Sequence, residues 1–288
     1  MRGIMGNLFS GLSALGLGKL TSMDVYENEE KKDEKNDGDK GAVQEVSEAD
    51  FLFEKAYNCP VCDKEFKAKT IKTGKIKLIA ADSDLRPKYQ SVDSLKYDVI
   101  ACPHCGYAAL NRYFNYMTSA QAKLIRQNIS ANFKGIEQGG DVVSYDEAIV
   151  KHRLALANTV VKRAKSSEKA YTCLKTAWLL RGKAEHLPED TADYNKVRAE
   201  LAAEEREFLE NAYNGFLEAF PKEMFPMCGM DENTVSYLVA DLARRIGKYE
   251  DASRWVARVL ASRNANDRIK EKSRELKDLI TEEMKAEV

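Results

Sequence analysis

Cys59-Pro60-Val61-Cys62 and Cys102-Pro103-His104-Cys105 decide how this chain is read. A Cys-x-x-Cys turn folds two thiols towards one point, and tetrahedral Zn2+ takes four soft or borderline donors, so two such turns make one complete site. Both begin Cys-Pro, and the second is followed by Gly106, a residue that accepts a positive φ without steric cost. The 39 residues between Cys62 and Cys102 suit a zinc ribbon with an inserted loop. The expectation is one structural Zn2+ ion held by Cys59, Cys62, Cys102 and Cys105, with no position left open for water. Cys173 and Cys228 stand alone in helical sequence, so the six cysteines read as a metal pattern and not as a secreted disulfide framework.

One rival reading uses the same residues. Cys-Pro-His-Cys looks like the active-site turn of oxidising thioredoxin-fold enzymes, in which an imidazole and a helix N-terminus stabilise a thiolate. A helix over Tyr107 to Tyr116 would favour it. The second Cys-Pro-Val-Cys pair and the lack of a surrounding βαβ unit oppose it, and under the zinc reading His104 is an exposed turn residue with no ligand role.

Outward from the cysteines, residues 51–117 carry eleven basic and seven acidic side chains and form the small metal module. Phe66 to Lys72 and Lys75 to Ala81 are expected to pair as a hairpin about Thr73-Gly74. Tyr97 to Ala101 is expected to run as a strand into the second cysteine turn. Lys64, Lys67, Lys69, Lys72, Lys75 and Lys77 make a basic cluster with tyrosines nearby, a combination that nucleic-acid binding can use. The plainer reading is an edge hairpin solvated by lysine, or a counterweight to the formal −2 of a zinc tetrathiolate.

Before the module, residues 24–50 hold eleven acidic and four basic residues and almost no large apolar ones, the composition of a disordered acidic linker. Residues 1–23 alternate Leu8, Phe9, Leu12 and Leu15 with glycines, a short hydrophobic motif for docking on a partner or on the protein's own helices, or else a frayed tail. No secretory cleavage site follows it.

Residues 118–288 are helical throughout. Thr118-Ser119-Ala120-Gln121 and Ser144-Tyr145-Asp146-Glu147 read as capping boxes that start two helices. Further helices are expected from near Ser167 until Pro188, from about Thr191 to Phe220, over Val235–Ile246 and Tyr249–Ser262, and from about Asn266 to Lys285. Gly247-Lys248-Tyr249 joins the two helices, each of about 13 residues, as a tetratricopeptide-like hairpin, with small Ala243 and Ala252 letting them approach and Leu242, Ile246, Trp255 and Val259 filling the seam. Trp178 and Trp255 are expected to be core fillers.

Composition narrows the function. Net charge is −1, from 45 basic and 46 acidic residues, so no whole-chain field draws in nucleic acid or an anionic surface. Mean hydropathy is −0.49, and no run of about 18 apolar residues exists to span a bilayer. No phosphate-binding glycine loop, zincin helix, serine triad or paired catalytic carboxylate is present in the sequence.

At Cys59-Pro60-Val61-Cys62, Asp84-Leu85-Arg86-Pro87-Lys88-Tyr89, Tyr97-Asp98-Val99 and Cys102-Pro103-His104-Cys105-Gly106-Tyr107-Ala108, the chain resembles the bacterial family known as domain of unknown function 2225, over about residues 51–280. The resemblance implies a cytoplasmic bacterial protein with a zinc-ribbon-like front and a tetratricopeptide-like back, and it implies no activity. It matches the four cysteines to the expected ligands and places Asp84 and Arg86 in the loop between them. There the pair binds an anionic ligand or pins the loop. The fold class expected is α+β, mostly α. The function expected is a non-enzymatic, zinc-stabilised adaptor for a protein or peptide partner, with a thiol–disulfide oxidoreductase using Cys102 and Cys105, or a weak nucleic-acid-binding module, as alternatives.

Overall fold

The computed structural model describes residues 47–136 and 139–286. The expected N-terminal motif, and the expected linker as far as Val46, lie outside them. Ser47–Asp50, the last residues of that linker, form a capped 3-10 turn in which Ser47 and Asp50 exchange side-chain-to-backbone hydrogen bonds.

Three short antiparallel hairpins follow. β1 (Leu52–Asn58) pairs with β2 (Glu65–Ile71), β3 (Leu78–Ala81) with β4 (Pro87–Tyr89), and β5 (Val99–Ala101) with β6 (Ala108–Leu110). The hairpin expected about Thr73-Gly74 does not form. A cysteine turn is itself a hairpin turn, so β2 pairs back across Cys59–Cys62 with β1, from Leu52 opposite Ile71 to Asn58 opposite Glu65. Thr73–Lys75 then makes a 3-10 turn that redirects the chain, and β3 finds its partner in the extended Pro87 segment. The strand before the second turn is present, shortened because Ser94–Tyr97 is 3-10.

Among the described residues seven α-helices follow, and the fold is mostly helical with small β-hairpins ahead of the helices. They are α1 (Ser119–Ile125, continued by a π turn to Ser130), α2 (Tyr145–Val161), α3 (Ser166–Glu185), α4 (Tyr194–Ala219), α5 (Glu232–Arg245), α6 (Tyr249–Ala261) and α7 (Asp267–Ala286). Thr118 and Gln121 make the full capping box expected of them. Ser144 caps Glu147 N–H, but Glu147 does not return the bond, because its carboxylate holds Lys151 one turn on at 2.6 Å.

Two cores position the site. In one, Tyr57, Phe66, Tyr107 and Phe114 gather around the cysteines together with Ala122 and Ile125 of α1. The rings stack or meet edge-on with centroids 5.0–6.0 Å apart, a geometry that adds to simple area burial. In the other, Leu52, Ile71, Leu95 and Tyr97 from the β-rich part share one cluster with Trp178, Leu179, Leu238 and Leu242 from the helices. From Ser47 onward the described residues form one compact unit. α3 and α4 pack closely, with the missing side chain of Gly215 making room for Ala170, whose Cβ lies 2.8 Å from where a Cβ on Gly215 would stand.

α5 and α6 pack against each other as a helical hairpin. Gly247 takes φ +81° after α5, and Ala243 and Ala252 are fully buried. Trp255 departs from expectation: it is only partly buried, and it meets Phe220 edge-on at 4.9 Å while Arg258 lies over both rings.

Candidate metal centre

The two cysteine turns are built alike. Cys59 N–H donates to the carbonyl of Lys64 and Cys102 N–H to that of Tyr107, each five residues on. The carbonyls of the same two cysteines accept from Asp63 and Gly106, each four residues on. Asp63 and Gly106 both take a left-handed backbone, which turns the chain sharply enough for the second cysteine to face the first. Arg126, from the π turn after α1, braces the first turn by donating Nε–H to the carbonyl of Val61 at 2.6 Å.

These turns bring Cys59, Cys62, Cys102 and Cys105 together, with all four sulfurs within 4.8 Å of one another. Cys59 Sγ lies 3.5 Å from Cys105 Sγ, and Cys62 Sγ lies 3.7 Å from Cys102 Sγ. A disulfide needs about 2.05 Å, whereas thiolates at about 2.3 Å from one tetrahedral zinc stand roughly 3.8 Å apart. The four residues therefore suit a metal ion better than a bond between themselves. Three of the four are buried and Cys62 is half-buried.

The electrostatics of the group lead the same way. Hydrogen bonds from Cys105 and Cys59 hold the Cys102 thiol well below its ordinary range, while those shared with Cys102 push Cys105 far above it. Without a cation, sulfurs packed this closely cannot all carry negative charge. A divalent cation removes that limit, since coordinated thiols ionise outright.

His104 is exposed, as the zinc reading expects. The helix that would have favoured the redox reading is absent, because β6 begins at Ala108 and Asn111–Tyr113 is 3-10. Three lysines of the basic cluster have partners of their own. Lys67 meets Glu54 at 3.8 Å, Lys69 donates to the carbonyl of Gly140, and Lys72 donates to that of Asp50.

Asp84 and Arg86 lie deep in the fold. Asp84 is fully buried, accepting from Trp178 Nε1 at 3.0 Å and from Arg181 at 2.7 and 3.1 Å, with Arg245 Nε at 3.4 Å. Arg86, 2% exposed, donates to Asp82, to both oxygens of Glu185 and to the carbonyl of Trp178. Their polar atoms are engaged within the protein, an arrangement that pins the loop. Burial alone would raise the Asp84 carboxyl, but Arg245 and Arg181 outweigh it and hold it below the ordinary range. Asp82 is brought down to about 2 by Arg86, Arg181 and Lys88 against the same opposing burial.

The sequence reading missed the helical half of this network, Arg181, Glu185, Asp241 and Arg245. Asp241 joins it through Arg245 at 2.9 Å and Ser83 at 2.9 Å, and the one trace in the sequence was spacing: Arg181 and Glu185, like Asp241 and Arg245, stand four apart on a helix face. Among the described residues no helix is long and apolar enough to cross a membrane.

Fold and site together define an α+β protein, mostly α, with a four-cysteine centre able to hold a metal ion. The family model of uncharacterized proteins conserved in bacteria, DUF2225, matches residues 52–280. The chain belongs to that family. No curated protein and no solved structure matches it.

Proposed function

We propose that Cys59, Cys62, Cys102 and Cys105 hold one structural Zn2+ ion and that the chain is a zinc-stabilised adaptor, not an enzyme. The observation that carries this is the convergence of four sulfurs from two like-built turns inside an aromatic core. Four thiolates complete a tetrahedral shell, so the ion contributes cross-linking and charge balance but no open coordination position. In this reading residues 51–117 are the zinc-bearing part, and residues 118–288 present tetratricopeptide-like helical hairpins to a protein or peptide partner. Six free cysteines suit a reducing cytoplasm.

Against the oxidoreductase alternative, Ala108–Leu110 after the second cysteine turn is a strand and not a helix, and against the nucleic-acid alternative, Lys67, Lys69 and Lys72 of the basic cluster are engaged with other groups. A crosslinked pull-down from the source cell, with metal and nucleic acid quantified on the same sample, tests the reading. It expects zinc with a reproducible protein partner. Stoichiometric nucleic acid, or thiol–disulfide turnover lost on Cys102→Ser and kept on Cys59→Ser, would overturn it.

A further inference from the structure

β3 is the least sheltered strand of the fold. All four of its residues, Leu78-Ile79-Ala80-Ala81, are exposed, with Leu78 at 53% and Ile79 at 60%. β4 covers one side of it, and among the described residues no strand pairs with the other. A short apolar strand with an unpaired row of N–H and C=O groups is a template for strand addition, and proteins that do not use such an edge cover it or charge it.

The register shift between Leu78 and Ala80 falls at Ile79, which forms part of the wall of a cleft of about 530 Å3. Lys88, Tyr89, Asp93, Tyr145 and His186 line the same cleft. An added strand thus has a hydrophobic ribbon to lie along and a hollow beside it for a side chain.

Charge says what kind of strand fits. Lys75 and Lys77, exposed at the approach to β3, are in no ion pair among the described residues. Lys88 across the ribbon is already tied to Asp82 at 3.1 Å and Glu185 at 3.3 Å. A basic segment would be repelled there. A second copy pairing through its own β3 would bring its lysines to this edge and no free carboxylate with that strand, because Asp82 at the far end of β3 is held by Arg86, Arg181 and Lys88. A segment carrying Asp or Glu among apolar residues satisfies both the edge and the lysines.

We propose that the open edge of β3, with the adjoining cleft, takes an extended acidic segment of a partner protein as an added strand. The inference rests on the adaptor reading and names the surface and the chemistry of the partner.

The test uses full-length, zinc-loaded protein and two blocked peptides of about eight residues that alternate valine and threonine with either glutamate or lysine. Binding is read by fluorescence anisotropy, and hydrogen exchange is followed across residues 74–90. The glutamate peptide is expected to bind and to slow exchange at Leu78–Ala81. Lys75→Glu with Lys77→Glu should weaken that peptide by about tenfold or more and turn the preference to the lysine peptide. Ile79→Asp, at an exposed site that leaves the cores intact, should weaken the glutamate peptide as well.

Three results overturn the inference: no protection of β3 by either peptide, binding indifferent to the charge reversal, or a dimer that protects β3 without peptide. Zinc content is measured on the same samples. Peptide failure with zinc in place sinks this inference alone, whereas zinc-free folded protein sinks the adaptor reading beneath it.

Discussion

Asp63 and Gly106 hold the same place in the two cysteine turns. Each follows its second cysteine, takes a left-handed backbone at φ 58° and 73°, and donates its N–H to the carbonyl of the first cysteine, at 2.9 and 3.1 Å. The residues differ in what surrounds them. Asp63 is exposed, whereas a Cβ on Gly106 would lie 2.6 Å from the ring of Phe133. Gly106→Ala therefore adds a clash to backbone strain and should cost about 1–3 kcal/mol in chemical unfolding. Asp63→Gly removes strain from an exposed turn and should leave stability unchanged or slightly raised. Equal losses at both positions would contradict this account of the turns.

The network under the β3–β4 loop should be costly to break. Asp84→Asn leaves Arg181 and Arg245 facing a neutral group in the interior, and removal of one partner from a buried pair costs about 3–5 kcal/mol. Denaturant unfolding checks the figure. A loss below about 1 kcal/mol, the size expected of an exposed pair, would mean that solvent reaches the network.

The same carboxylates set an acid limit. Asp82 and Asp84 are held below their unfolded values, so their contribution is complete above about pH 4. It is lost as pH falls towards the folded value, about 2 for Asp82. Stability measured from pH 5 to 2 should fall in that window and fall less in the Asp84→Asn variant.

His152 acts over a separate range. It is fully buried, its Nδ1 lies 2.8 Å from the carbonyl of Ala148, and its Nε2 has no partner among the described residues. Burial lowers its pKa below the ordinary value of 6.5 despite Asp98 and Asp93, with Lys175 acting in the same direction as burial. The unfolded chain takes up the proton that the folded chain refuses, so stability should decline as pH drops below about 6.5. His152→Leu should flatten the curve between pH 6.5 and 5. An unchanged slope would assign the decline to other groups.

What was legible in the sequence was whatever rested on local pattern. The helices from Ser166 to Ala286 fall within a few residues of expectation, because Pro188, Pro221 and Gly247 punctuate them and the apolar period is regular. The four cysteines declared themselves by spacing. Strand pairing did not, because Phe66–Ile71 is equally apolar towards either neighbour, and only the closure of the cysteine turn selects β1 over β3. The helix over Tyr107 to Tyr116 that the redox reading would need does not form, because Ala108–Leu110 is claimed by β5, a tertiary partner that local preference does not see. The ion network was hidden because its members are about 100 to 160 residues apart in the chain and meet only when the loop folds onto α3 and α5.

Coordination should be visible in thiol chemistry. In zinc-loaded protein Cys59, Cys62, Cys102 and Cys105 should resist alkylation until a chelator or acid is added, and insulin reduction should stay near background. Cys173 and Cys228 are buried away from the site and should stay unreactive until the fold opens. Rapid alkylation of Cys102 alone, with zinc retained, would contradict shared coordination.

The central claim is that four cysteines close on one ion, and native mass spectrometry of the purified full-length chain tests it most directly. The account predicts one zinc per chain, absent from Cys59→Ser and from Cys105→Ser, with the aromatic core around Tyr57 and Phe114 loosened while the helical signal largely persists. A folded, metal-free chain whose residues 51–117 are as protected from exchange as in the zinc-treated protein would contradict it.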